Sequence, residues 1–566
     1  MTRLRLYWET LRHLRPSQLA WQLVRRVAPL PRHRPVAAEP RRPGLGVRPF
    51  APPVVPAVGP GEIAFLHVAR PLDPAAPDWA AADLPKLWRY NLHYFDFLHW
   101  PVYPAALRDQ LIASWIAAHP VPAGDGWEPY PLSLRTVNWI KYWLARDGAT
   151  VDAAALASLA TQLAGLATRI EHHLLANHLL KNGKALFFGG CFLTGPRADR
   201  WRAEGLAILL READEQVLPD GGHFERSPLY HAIVLEDLLD VVNLARACPG
   251  LVPGDAEQTL VAAATRALRF FAGTLAGDGR IPLFNDAAFG IAPEPADLLA
   301  YGARVLGVGA GASPAIIDFP HTGYYGYRAG GESLIVDCGE VGPDYQPGHA
   351  HCDTLSYELC VDGQRVVVDA GVYGYEADDW RHYVRRTASH NTVTVDDEEQ
   401  SVIWGAFRVA ARARPLTGPD APTLTGTLDG GLTFTGGHDG YRRLPDRPVH
   451  KRTVRMPPGG PWEVTDLVSG TGSRFHRVTG YVHFDPALEV EAGPDGAFMV
   501  RNPATGLMLR LSVTGDSLAR LESGYHFPEF GLRRANKIMI IEREGKLPLE
   551  MHYRIERQPP QRKPDQ

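Results

Sequence analysis

No stretch of this 566-residue sequence approaches the roughly 18 consecutive apolar residues that a membrane-crossing helix needs. Basic residues (59) do not outnumber acidic ones (63), giving a net charge of −4. That balance argues against a nucleic-acid partner, whose phosphates call for a cationic surplus. The five cysteines, Cys191, Cys248, Cys338, Cys352 and Cys360, are odd in number and lack CxxC spacing. Neither a disulfide framework nor a zinc ribbon is therefore expected. The opening segment, "MTRLRLYWETLRHLRPSQLAWQLVRRVAPLPRHRP", alternates apolar and basic residues and never gives the uninterrupted apolar stretch of a signal peptide. A cytoplasmic location without stable membrane insertion is the expectation. The first 28 residues leave two readings open: a helix packed on its own domain, or an amphipathic surface helix that touches a membrane.

What is present is the composition of a globular protein, 45% hydrophobic and 22% charged, with a length that implies two to four domains. Residues 31–62 are rich in Pro, Arg and Gly and read as an extended connector, so 1–62 forms a helix-plus-connector segment. From about 100 to 305 apolar residues recur three and four apart, as in "YPAALRDQLIASWIAAH", "AALASLATQLAGLATRIEHHLLANHLL" and "HAIVLEDLLDVVNLARA". This predicts stacked helices over 63–310. "GVGAGASPA" (307–315) marks a boundary, after which the period becomes two in "ESLIVDCG", "NTVTVDD", "FRVAARARP" and "TLTGTLDGGLTFTGG". Helices followed by strands, each in its own block, predict an α+β multidomain chain whose residues 311–566 form an antiparallel β-sandwich.

Four stretches carry candidate chemistry. In "PGHAHCDTLSYELCVDGQRVVVDAG" a two-residue turn at Asp362-Gly363 sets Cys360 near Arg365 and Ser356 near Asp369. His351 then falls close to Asp369, and His390 of "RRTASHNTVTVDD" offers a third ligand for a zinc-like divalent ion. A histidine is also commonly an ordinary hydrogen-bonded core residue. In "DGGHFERSPLYH" Ser227 is a helix N-cap and Pro228 the first helical residue, which puts Tyr230 in the first turn. There the macrodipole and Arg226 would help a phenol of ordinary pKa about 10 act as a base; the alternative is an aromatic packed at a helix start. In "HHLLANHLLKNGKALFFGG" a C-cap at "KNGK" accounts for Asn182, but Asn177 and His178 remain as polar groups on an apolar helix. In "WEPYPLSLRTVNWIKYWL" Arg135 and Asn138 share a helical face near Trp127, Trp139 and Trp143. That set suits a sugar ring carrying a carboxylate or sulfate, or equally a tryptophan-rich core.

Together "GHAHCDTLSYELCVDGQRVVVDAGVYGY", "RHYVRRTASHNTVTVDD", "NHLLKNGKAL", "DGGHFERSPLYH" and "LRTVNWI" resemble the heparinase II/III family of polysaccharide lyases, over residues 85–415. The resemblance implies an incomplete (α/α) toroid followed by an antiparallel β-sandwich. It also implies β-elimination next to a uronic acid, with an acidic polysaccharide as partner. By matching motif, Asn177 would neutralise the substrate carboxylate, with His178 as the alternative. Tyr230 would be the base and acid, and His349 their partner. His351, Asp369 and His390 would hold a structural divalent ion, zinc or else manganese or calcium. Arg135, Asn138, His178, Arg226 and Arg385 or Arg386 are the expected substrate-binding groups. Two other readings are an (α/α) glycoside hydrolase, using Glu225 and Asp286 as its carboxyl pair, and a non-catalytic polysaccharide-binding component of exopolysaccharide assembly.

Overall fold

The computed structural model describes residues 3–27, 38–41, 46–120, 123–146, 150–308, 315–493 and 495–559. Parts of the expected connector and of the 307–315 boundary lie outside these residues.

Two short helices, α1 (Arg3–Leu11) and α2 (Pro16–Val27), precede a two-stranded hairpin of Glu62–Phe65 with Val68–Pro71. The helical layer then runs through α3 (Lys86–Tyr94), α4 (Ala105–Ala118), α5 (Pro129–Leu144), α6 (Ala153–Ala167), α7 (Ala176–Phe192), α8 (Pro196–Gln216), α9 (Pro228–Ala247), α10 (Gly254–Thr274) and α11 (Pro295–Leu306). Its centre is α7, on which every side chain except that of His178 is buried. Glycine lets α7 and α8 approach closely: a Cβ on Gly190 would lie 2.4 Å from the Arg202 backbone nitrogen, and one on Gly205 2.5 Å from that of Phe187.

Two expectations for this layer need correcting. The periodic stretch 154–180 is not one helix, because α6 stops at Ala167 and α7 starts only at Ala176, after Leu175 and Ala176 both take positive φ. The polar "KNGK" does not cap α7 but lies inside it. Asn182 there accepts from the Glu171 amide at 2.8 Å and donates to the Glu171 carboxylate at 3.1 Å, tying the break to the helix. Periodicity detects apolar faces, and Leu166, Ile170 and Leu174 keep the helical spacing of four straight through the break, so the pattern does not reveal it.

In the second half every paired strand of the sheets is antiparallel to its neighbour. A five-stranded meander (Ile316–Phe319, Tyr324–Ala329, Glu332–Asp337, Tyr357–Val361, Gln364–Val367) and a four-stranded sheet face an eight-stranded sheet across one apolar core. The Asp362-Gly363 turn, with φ of 54° and 73°, pairs Cys360 with Arg365 as expected, and the Ser356 hydroxyl donates to Asp369 at 3.0 Å. The alternation in "FRVAARARP" yields only the two-residue strand Arg408–Val409, since its arginines bond to loops rather than to a ladder. A further short helix, α12 (Asp379–Arg385), interrupts the strands. Val372 and Phe530 of the β half join the helical core, so the two layers share packing around the site. The architecture is the expected helical toroid followed by a β-sandwich.

Candidate active site

A cleft of about 1600 Å³ opens between the layers, lined by Asn177, His178, Tyr230, His349 and Tyr375 among others. Its chemistry is assembled from three elements. The N-terminus of α7 supplies Asn177 and His178. The start of α9 supplies Tyr230: Ser227 caps the helix by accepting from the Tyr230 amide at 3.3 Å, with Pro228 in the first turn. The loop before the strand Tyr357–Val361 supplies His349.

Two of these groups, Asn177 and His349, converge on a buried carboxylate. Glu225, 2% exposed, accepts from Asn177 Nδ2 at 3.2 Å through one oxygen and pairs with His349 Nδ1 through the other. Burial alone would raise its pKa, but the pairing with His349 and the amide of Asn177 bring it below the ordinary value, so it is held ionised. Anchoring Nδ1 leaves Nε2 as the free nitrogen of an imidazole that lines the cleft. The His349 ring lies on the Tyr230 ring, with centroids 3.8 Å apart and planes 15° apart. The Tyr230 hydroxyl meets that of Tyr375 at 2.8 Å. Asn177 Oδ1 is buried with no hydrogen-bond partner among the described residues.

The pKa of Tyr230 moves against the expectation. Burial pushes its phenol well above the ordinary value, reinforced by Tyr375, Tyr130 and Asp286, and Arg226 does not offset this. Arg226 has φ of 55° and turns away, donating to the carbonyls of Thr322 at 3.1 Å and Phe224 at 3.0 Å. Tyr230 thus keeps its proton in the resting site.

The expected arginine grip is not in the cleft. Arg135 is fully buried in the helical core, donating to Gln162 at 2.8 Å and to the His93 carbonyl at 3.2 Å, with its guanidinium 3.9 Å over Trp115. Arg386 stacks over Tyr383 at 4.6 Å, away from the lining. Arg385 is buried and donates to the carbonyls of Ala350 and Gly405. Asn138 does line the cleft, but its amide donates to Asp96 at 2.6 Å and to the Tyr94 carbonyl. His178 lies on Tyr130, centroids 4.5 Å apart, and meets Glu171 at 3.3 Å. Most cations of the lining are already paired: Lys86 with Glu128, Lys141 with Glu236, Arg146 with Asp109, and Lys181 and Lys184 with Asp237, at 2.7–3.1 Å. Arg48 and Arg108 line it as well, Arg108 donating to the Trp100 carbonyl at 2.7 Å.

The two histidines of "GHAH" separate. His351 is fully buried, pairing through Nε2 with Asp286 at 2.8 Å. His390 pairs through Nδ1 with Asp369 at 2.9 Å. Their rings lie 5.3 Å apart, and His351 Nδ1 and His390 Nε2 are both buried without a hydrogen-bond partner among the described residues. Among the described residues no three His, Cys, Asp or Glu side chains converge as a ready ligand set. Two orphaned imidazole nitrogens, each on a ring held by a carboxylate through its other nitrogen, nevertheless match the donor chemistry of a divalent ion.

Three residues escaped the reading of the sequence as parts of this site. Glu225 was weighed only as a hydrolase carboxyl, although "HFERSPLYH" places it two residues before the cap. Tyr375, in "GVYGYE", had no signal beyond its aromatic type. Arg381 forks onto Asp286 and donates to the Gly348 carbonyl at 3.2 Å, clamping the loop that carries His349. Neither Glu225 nor Asp286 lines the cleft, so the carboxyl pair expected for a hydrolase is not the one that faces it.

Comparison with known proteins gives the class of this fold and site. Residues 109–292 match the model described as heparinase II/III N-terminus, and residues 311–561 the one described as heparinase II/III-like, C-terminal. The chain belongs to the heparinase II/III-like family. It is 28% identical over 253 residues to a heparin-sulfate lyase of Pedobacter heparinus, spanning 40% of this chain but only 37% of that protein's length. It is 28% identical over 438 residues to FtsZ-localized protein C of Caulobacter vibrioides, spanning 73% of this chain and 71% of that one. The fold is shared with heparinase III, at a TM-score of 0.66 and 18% identity over 85% of this chain and 79% of the other. It is also shared with a heparan sulfate lyase HepC mutant from Pedobacter heparinus, at 0.61 and 17% over 89% and 82%.

Proposed function

We propose that this chain is a polysaccharide lyase that breaks the bond to a uronic acid by β-elimination. The observation that carries the reading is Glu225 holding Asn177 and His349 on its two oxygens, with Tyr230 stacked on His349. Asn177, with His178 beside it, would offset the charge of the uronate carboxylate and so acidify C5. His349 Nε2 takes the C5 proton, the C–H electrons form the C4–C5 double bond, and the C4–O bond breaks. The departing oxygen takes its proton from the Tyr230 hydroxyl. Tyr230 is thus assigned the acid's part, and His349 the base's part that the sequence had given to Tyr230. Relatives named as heparin-sulfate lyases support the reaction class.

The substrate we propose is a uronate polymer with little or no sulfate. The lining cations are mostly neutralised by carboxylates, and Arg135, Arg226 and Arg386 lie elsewhere, so few guanidinium forks are left for sulfate. We also assign His351, Asp369 and His390 as holders of a divalent ion, zinc before manganese or calcium, which when bound would brace the loop carrying His349.

A second reading rests on the longer of the two sequence likenesses, to a protein named for localisation with FtsZ. In it the chain localises with FtsZ and binds polysaccharide without turning it over. The test is incubation with unsulfated and sulfated uronans while following the ultraviolet absorbance of unsaturated ends. Absorbance from an unsulfated polymer supports the lyase; binding without absorbance supports the second reading.

A further inference from the structure

The first two helices are amphipathic in the inverted sense. Ordinarily a surface helix turns its apolar stripe inward and its polar face to water. Here the polar and aromatic side chains of one face are spent on the body of the protein. Thr10 accepts from the Trp404 indole at 3.1 Å, and Tyr7 meets the same ring edge-on at 5.1 Å. The Arg15 guanidinium pairs with Glu215 and lies 3.8 Å over Tyr345, while buried Gln18 reaches the Tyr345 carbonyl at 3.4 Å. Trp21 stacks on His172 at 5.0 Å. The helices therefore straddle both layers, since Trp404 and Tyr345 belong to the β half and Glu215 and His172 to the toroid.

The opposite face carries Leu4, Trp8 and Leu11, spaced four and three apart, with Leu19, Leu23 and Val24 on the second helix. Leu4 is 84% exposed, Trp8 66% and Leu23 62%. Of the sixteen large apolar residues exposed among those described, eight fall within residues 3–27, six on this face and Tyr7 and Trp21 where the helices meet the body, the others being scattered along the chain. A contiguous apolar face of this kind marks a contact surface rather than the usual scatter of single exposed residues. The same 25 residues carry six arginines against one glutamate, a net of five positive charges in a chain whose total is −4. Arg3, Arg5 and Arg26 have no carboxylate partner among the described residues, while Arg12 pairs with Glu9.

From this we infer that α1 and α2 form a docking face for an anionic lipid surface, lying in its plane with the leucines and Trp8 among the acyl chains and the free arginines at the headgroups. The charge selects the occupant: a second copy would set five positive charges against five, whereas anionic headgroups complement them. No helix among the described residues is long and apolar enough to cross a membrane, so the attachment is peripheral. Because the helix pair as a whole rests on the two layers, docking would hold the toroid and sandwich together at a fixed distance from the lipid. This inference does not rest on the proposed lyase activity.

The test is co-sedimentation of the full chain with extruded vesicles of phosphatidylglycerol and phosphatidylcholine, against vesicles of phosphatidylcholine alone. Wild type is expected to pellet with the anionic vesicles, at least tenfold more than the Leu4→Glu/Trp8→Glu/Leu23→Glu variant, and to be released by added salt. The thermal midpoint of the variant should match wild type, which shows that it folds. Equal pelleting of wild type and a folded variant, or no pelleting of wild type, would overturn the proposal. So would a wild-type dimer by light scattering that the variant abolishes without any vesicle binding, which would assign the face to a second copy. Should the triple variant fail to fold, Leu4→Ser alone, at the most exposed position, must still lower vesicle binding.

Discussion

The Tyr230 ring lies nearly parallel on the His349 ring at 3.8 Å, so the two groups proposed as acid and base sit on one side of the cleft, and each buries part of the other. If Tyr230 protonates the leaving oxygen and His349 removes the C5 proton, the two roles separate kinetically. Tyr230→Phe and His349→Ala should each lower kcat by about 10²–10⁴-fold on the natural polymer, with folding intact. On a uronoside with an activated leaving group, which needs no protonation, turnover by Tyr230→Phe should recover while that of His349→Ala should not. Steady-state rates on the two substrates check this, and recovery of both variants would remove His349 from the base role.

Glu225 positions rather than reacts. Glu225→Gln keeps the size of the side chain but loses the charge that fixes His349 Nδ1, so kcat should fall by roughly 10²-fold with little change in KM. Its pKa is held below the ordinary 4.5. A depressed carboxyl contributes stability that is present above its unfolded value and is lost as pH falls below it. The fall in thermal midpoint of wild type below about pH 4.5 should therefore be shallower in Glu225→Gln, as measured by a series of melts across acid pH.

The ion assignment predicts a division between neighbours. His351→Ala, Asp369→Ala and His390→Ala should each lose bound metal by elemental analysis, and chelation should lower the thermal midpoint of wild type. His349→Ala should retain the metal. Metal-free wild-type protein with an unaltered midpoint after zinc addition would contradict the assignment.

Arg135 should report on stability and not on substrate. Its fork holds Gln162 and the His93 carbonyl inside the core, so Arg135→Lys leaves a buried ammonium and unpaired acceptors, at a cost of about 2–4 kcal/mol. Denaturant unfolding should register the loss while KM stays at the wild-type value. A raised KM at unchanged stability would return Arg135 to the cleft.

The sequence was legible wherever local chemistry decides the structure. Ser227-Pro228 specifies a helix start by itself, and Asp362-Gly363 specifies a hairpin whose register then carries Ser356 to Asp369. It was less legible where the outcome depends on which face of a helix meets which neighbour. Arg135 and Asn138 do share a face of α5, but that face turns its arginine into a tryptophan-lined core. Arg226 departs from its expected place beside Tyr230 because one positive φ, which no residue type announces, turns its side chain away. The role of Glu225 became visible only when the loop bearing His349, more than a hundred residues later, folded back beside it.

The most direct measurement is the absorbance of unsaturated uronate ends released from an unsulfated uronan, compared between wild type and Tyr230→Phe. The account predicts steady release by wild type, release reduced at least a hundredfold in the variant, and slower release from a heavily sulfated polymer at equal concentration. Saturated reducing ends without the absorbance, or equal release by the two proteins, would contradict it.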